Sequence, residues 1–125
     1  MPKIKVLPGT MPPMMRGLLT WMIRAQTDME VVAGRALGPL GLAEAIGQTG
    51  ATFVIEALPD PGQMPAAYLR IFDLYPEIAI LVLPLEGEEA VLYQRTVTRR
   101  RVAAAPVECI PELIRARGEE DIPHP

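Results

Sequence analysis

Apolar positions along this chain fall into short runs of two kinds, one alternating and one helical. Lys3 to Leu7 alternates polar and apolar residues, which predicts a short strand. Pro8-Gly-Thr-Met-Pro-Pro13 breaks it, and Pro12 and Pro13 suit the loop and first turn of a helix because they lack backbone donors. Met14, Met15, Leu18, Leu19, Met22 and Ile23 follow at spacings of three and four, predicting an amphipathic helix to about Ala25. A turn over Gln26 to Met29 leads into a short strand at Glu30 to Ala33, and Gly38-Pro39 is the next break. Leu40, Ala43, Ala45 and Ile46 mark a weaker helix that ends between Gly47 and Gly50. Ala51 to Glu56 is apolar, β-branched and aromatic, the signature of a buried strand. After the Pro59-Asp-Pro-Gly62 turn, Tyr68, Leu69, Ile71, Phe72 and Tyr75 are spaced as a helix that Pro76 stops. Ile78 to Leu83 is apolar on both faces and predicts a central strand, followed by a solvated loop at Glu86 to Glu89.

The stretch from Ala90 to Val102 reads in two ways. Ala90 to Arg95 has the composition of a helix, whereas Val91, Tyr93, Thr96, Val97 and Thr98 favour strands and a hairpin. Val102 to Ala105 is a last short strand, Val107 to Arg117 a final helix with a Gly118 stop, and Glu119 to Pro125 an acidic tail. Strands alternating with helices predict one α/β domain over residues 1–118. Its expected architecture is flavodoxin-like: a five-stranded, mainly parallel sheet in the order 2-1-3-4-5, helices on both faces, and a β-hairpin as the alternative to the fourth helix. In such sheets ligands bind beyond the carboxyl ends of the strands.

Composition narrows the chemistry. The chain has 125 residues, is half apolar, and carries a net charge of −3, so no global basic field draws it to nucleic acid or a membrane. No apolar run reaches the roughly 18 residues of a membrane span. Lys3 and Lys5 precede no signal-like apolar stretch, so the expected compartment is the cytoplasm. A single cysteine, Cys109, excludes an internal disulfide, and the single histidine, His124, stands between prolines at the end of the acidic tail. The absence of any serine excludes a serine nucleophile, and Gly34, Gly38 and Gly41 fit no phosphate-binding loop.

Val6-Leu-Pro-Gly-Thr-Met-Pro-Pro-Met-Met-Arg16, Leu18-Leu19, Asp28-Met-Glu-Val-Val32 and Tyr75-Pro-Glu-Ile-Ala-Ile-Leu-Val-Leu-Pro84 together resemble the receiver domain of bacterial response regulators, over roughly Ile4 to Arg117. The resemblance implies an acidic pair for Mg²⁺ after the first strand, a phosphate-accepting aspartate after the third, a hydroxyl after the fourth and a lysine after the fifth. Here those places fall on Thr10 and Met11, Glu56, Pro84 and Ala104, and every one departs from the family pattern. A threonine hydroxyl, a thioether and one carboxyl do not make the octahedral oxygen set Mg²⁺ needs. Without metal and lysine nothing offsets the charge that builds up in phosphoryl transfer. The expectation is a pseudo-receiver, not an enzyme, needing no cofactor or metal and acting through a protein partner or a second copy of itself, with neither nucleic acid nor membrane as partner.

Several residues carry more than one reading. Glu56 is either a permanent charge imitating a phosphorylated state or, more commonly for such a residue, a strand-end carboxyl in solvent or bonded to a loop amide. The arginines Arg95, Arg99, Arg100 and Arg101 suit phosphate or an acidic partner, or else a solvated turn or an edge strand where positive charge deters unwanted pairing. With Tyr93 and Val97 they form the expected interaction face, which the receiver resemblance also implies. Trp21 is read as a residue at the border of the apolar helix face, buried or serving as an interface anchor. The rival class is a small-molecule-binding or enzymatic α/β domain using the crevice between the Thr10 and Pro84 loops, which offers Thr10, Glu56 and Asp60.

Overall fold

The computed structural model describes residues 3–32, 38–86, 89–94, 100–103 and 110–117. In chain order the elements are β1 (Ile4–Pro8), α1 (Pro13–Arg24), β2 (Met29–Val31), α2 (Gly38–Thr49), β3 (Phe53–Leu58), α3 (Ala67–Leu74), β4 (Ala79–Pro84), β5 (Glu89–Gln94), β6 (Arg100–Ala103) and α4 (Ile110–Arg117). Pro13 opens α1 at a position where its missing N–H has no helical partner in any case. Gly50 follows α2 at φ 73°, the left-handed conformation in which glycine ends helices without strain.

The strands make one sheet in the order β2-β1-β3-β4-β5-β6. The pairs β1–β2, β1–β3 and β3–β4 are parallel, whereas β4–β5 and β5–β6 are antiparallel. The expected order 2-1-3-4-5 therefore holds, but the sheet is mixed and has six strands. The cause is the connection after β4, residues 85–88, which is far shorter than the dozen or more residues a parallel crossover needs. The chain turns straight back, Val82 facing Val91 and Leu81 facing Leu92, and β5 occupies the place expected for a fifth parallel strand. Val102 and Ala103, expected in that strand, belong instead to β6, one position further out. β6 runs in the same direction as β4, with β5 between them.

Helices cover both faces. On one, Leu19, Met22 and Ile23 of α1 and Ile110 and Ile114 of α4 pack with Phe53, Ile55, Leu81 and Leu92. On the other, Leu42 and Ile46 of α2 and Tyr68, Ile71 and Phe72 of α3 pack with Val54, Ile80, Val82 and Val91. Alternate residues of β3, β4 and β5 feed the two cores, as a strand covered on both faces requires. Each large apolar side chain so buried contributes about 1.5–3 kcal/mol. Trp21 departs from the expected border position. It is 70% exposed, because Leu19, Met22 and Ile23 define the buried arc of α1 and steps of 100° place Trp21 well outside it.

Candidate functional site

The carboxyl ends of β1, β3 and β4 converge beneath the loops that leave them. The loop after β1 does not stand away from the sheet. The Gly9 N–H donates to the Ile55 carbonyl at 2.8 Å, and the Thr10 carbonyl accepts the Ala57 N–H at 2.8 Å. Arg16, in the first turns of α1, fastens the same loop by donating from Nη2 to the Gly9 carbonyl at 2.6 Å and from Nη1 to the Pro8 carbonyl at 3.3 Å.

Glu56 lies under this loop. It is the fourth residue of β3 and 1% exposed, the one buried charged-type residue among those described. Strand alternation turns it toward the α2–α3 face. The Thr10 N–H donates to Oε2 at 3.1 Å, and the Tyr68 hydroxyl of α3 donates to Oε1. Both carboxyl oxygens are thus matched inside the protein, as burial demands. Gly9 closes the lid: a Cβ there would sit 2.8 Å from both Cγ and Oε2 of Glu56, so only hydrogen fits. Solvent was one expected setting of Glu56; the structure gives the other, the bond to a loop amide, and adds a tyrosine that the sequence reading had not paired with it.

Two aromatic rings fill the space beside this carboxyl. Tyr68 meets Tyr93 of β5 edge to face, with centroids 5.9 Å apart and planes at 73°. The Tyr93 hydroxyl donates to the Pro61 carbonyl, pinning the loop between β3 and α3. Burial, and after it the nearby Glu56, pushes the Tyr68 hydroxyl well above the usual tyrosine range. Asp60 at the rim accepts the Gly62 N–H at 3.1 Å, a local turn bond.

The remaining expected positions fall as follows. Thr10 is exposed and Met11 is half-buried against the α1–α4 core. Pro84 is half-buried at the end of β4. Ala104 lies outside the described residues; Ala103, the last residue of β6, is three strand places from β3, roughly 14 Å at ordinary strand spacing. Tyr93, expected on an interaction face, is 1% exposed and belongs to the core, because β5 is an interior strand covered by helices. Arg95, Val97 and Arg99 lie outside the described residues. Arg100 and Arg101 are in β6, opposite Leu92 and Val91.

At the other end of the sheet, Arg115 of α4 grips Asp28 with both carboxyl oxygens, at 2.8 and 2.9 Å, and reaches the Gln26 side chain at 2.7 Å. The guanidinium holds the Asp28 carboxyl below the usual range. Among the described residues no three His, Cys, Asp or Glu side chains gather as a metal site, and no helix is long and apolar enough to cross a membrane. No protein-family model matches the chain, and no curated protein matches it.

Proposed function

We propose that this chain is a degenerate receiver domain that works without phosphorylation, as a cytoplasmic protein–protein interaction module. One observation carries the reading: the carboxyl at the acceptor position has both oxygens engaged by Thr10 and Tyr68 and is roofed by Gly9. A nucleophile must reach its phosphoryl donor in line and close by, and Glu56 has no open side from which to do so. Two further features support it. Thr10 and Met11 stand where metal-binding acids are required, and the intervening β5 lengthens the separation of β3 from the strand that leads to the lysine position from two strand places to three. The order 2-1-3-4 with parallel pairing supports a flavodoxin-like reading, with the antiparallel β5 and β6 as this chain's departure from it.

The interaction surface in this reading is the hairpin edge. β6 is the outermost strand at its end of the sheet among the described residues, and an edge strand extends a sheet by pairing with a neighbour's backbone. Arg95, Arg99, Arg100 and Arg101 then set the register by charge, and the neighbour is a protein partner or a second copy. The test has two arms. Acetyl phosphate with Mg²⁺ is expected to leave the intact mass unchanged. Light scattering is expected to detect dimers that Val97→Asp weakens without loss of circular dichroism. A phosphate adduct that disappears in Glu56→Gln sinks the first arm. A folded protein that stays monomeric at every concentration removes self-association from the second.

A further inference from the structure

Helix α1 presents an outward face that the described protein leaves bare. Trp21 is 70% and Met14 88% exposed. Pro13, Arg16, Gly17, Thr20, Trp21 and Arg24 line an open groove of about 620 Å³. At its centre sits Gly17, where a Cβ would meet nothing within 4 Å. Glycine is among the residues least favourable to a helix interior, and none of its described neighbours requires one here. The missing side chain is a notch between an indole and an arginine. The face is also basic: α1 carries Arg16 and Arg24 and no acid, on a chain whose net charge is −3.

The chain itself holds a segment of the complementary kind. Beyond α4 the sequence runs Gly118-Glu-Glu-Asp-Ile-Pro-His-Pro125, with three acids, no lysine or arginine, and one branched apolar residue. α4 packs on the same side of the sheet as α1. Its last turn lies at the end of α1, since Arg115 bonds Gln26 and Asp28. The last turn of α4 therefore stands near the residues that follow Arg24. Extended, residues 118–125 reach about 26 Å, and the groove from Arg24 back to Arg16 is about 12 Å of helix.

We propose that residues 118–125 fold back along α1, with Glu119 to Asp121 against Arg24 and with Ile122 and Pro123 on Trp21 and in the Gly17 notch. The tail is then a cover for the one large exposed aromatic surface of this helix, held by charge at one end and by apolar contact at the other. Its acids offset a local positive charge that no acid of α1 itself offsets.

Trp21 is the only tryptophan in the chain, so its fluorescence reads the cover directly in the full-length protein. Acrylamide quenching of the wild type is expected to be weaker than that of a variant carrying Glu119→Lys, Glu120→Lys and Asp121→Lys, whose emission moves to longer wavelength. Arg24→Glu alone is expected to expose the indole in the same way, and the two sets combined to restore the shielding by charge exchange. A second variant that deletes residues 118–125 is expected to match the lysine variant, with far-UV circular dichroism showing that both stay folded. Identical quenching in wild type, lysine variant and deletion overturns the proposal. Shielding that grows with protein concentration overturns it too, and assigns the face to a second copy.

Discussion

A carboxyl buried in the middle of a central strand costs several kcal/mol unless each oxygen finds a donor. Glu56 finds the Thr10 N–H and the Tyr68 hydroxyl, and its retention is explained by those two bonds. Tyr68→Phe keeps the ring against Tyr93 and removes one donor. It is expected to destabilise the fold by about 1–3 kcal/mol, the cost of a buried group left with a missing partner. Glu56→Leu added to Tyr68→Phe is expected to recover much of that loss in urea midpoints, because both partners are then apolar. The pH dependence follows from the raised Tyr68 hydroxyl. The unfolded chain releases this proton near the ordinary value of 10.0, while the folded protein keeps it. The stabilisation is complete below that pH and is lost above it at up to about 1.4 kcal/mol per unit. Between pH 9 and 11 the midpoint of Tyr68→Phe should therefore fall less steeply than that of the wild type. Glu56 was legible as a charged residue in an apolar run. Its tyrosine was not, because Tyr68 sits on a helix whose apolar spacing places it in the core without revealing what its hydroxyl meets.

Elements were readable where one period dominates. The alternations and runs at Lys3, Ala51 and Ile78 became β1, β3 and β4, with the third strand starting at Phe53, two residues later than the pattern suggested. The stretch after β4 was ambiguous because short apolar runs of five or six residues satisfy both periods. The connection that decides it is residues 85–88, and the acidic, glycine-containing stretch Glu86 to Glu89 suits a solvated loop whichever way the chain then runs. α1 failed in another respect. Its apolar residues cover a stripe wider than one neighbouring sheet can bury, so spacing alone does not say which arc faces in, and Met14 and Trp21 face out. β5 is a core strand in this structure, with Leu92 on the α1–α4 side and Val91 on the other. Leu92→Ala is accordingly expected to cost about 2–5 kcal/mol by urea denaturation, as for a buried leucine elsewhere. A cost within about 0.5 kcal/mol, typical of surface sites, is the outcome that contradicts an interior strand.

At the scale of the whole molecule the sheet joins two halves of opposite character. Its parallel half is assembled from crossovers, so that Val6 faces Phe53 across an intervening helix, strand and second helix. Its other half is a meander in which Val82 faces Val91 and Leu92 faces Arg100. Both halves share the two cores, because β4 contributes Ile80 and Val82 to one face and Leu81 and Leu83 to the other. The turn that sends β5 back along β4 therefore has a kinetic meaning. Closing a loop costs entropy that grows with its length, and contacts between residues near in sequence form first. The meander is expected to be structured in the folding transition state while β1 and β2 are still unattached. Stopped-flow kinetics would read this as a φ-value above about 0.5 for Leu92→Ala and below about 0.3 for Val6→Ala, with the reverse ranking contradicting it. The reversal that denies β4 a second parallel neighbour thereby gives the slower crossovers a surface on which to close.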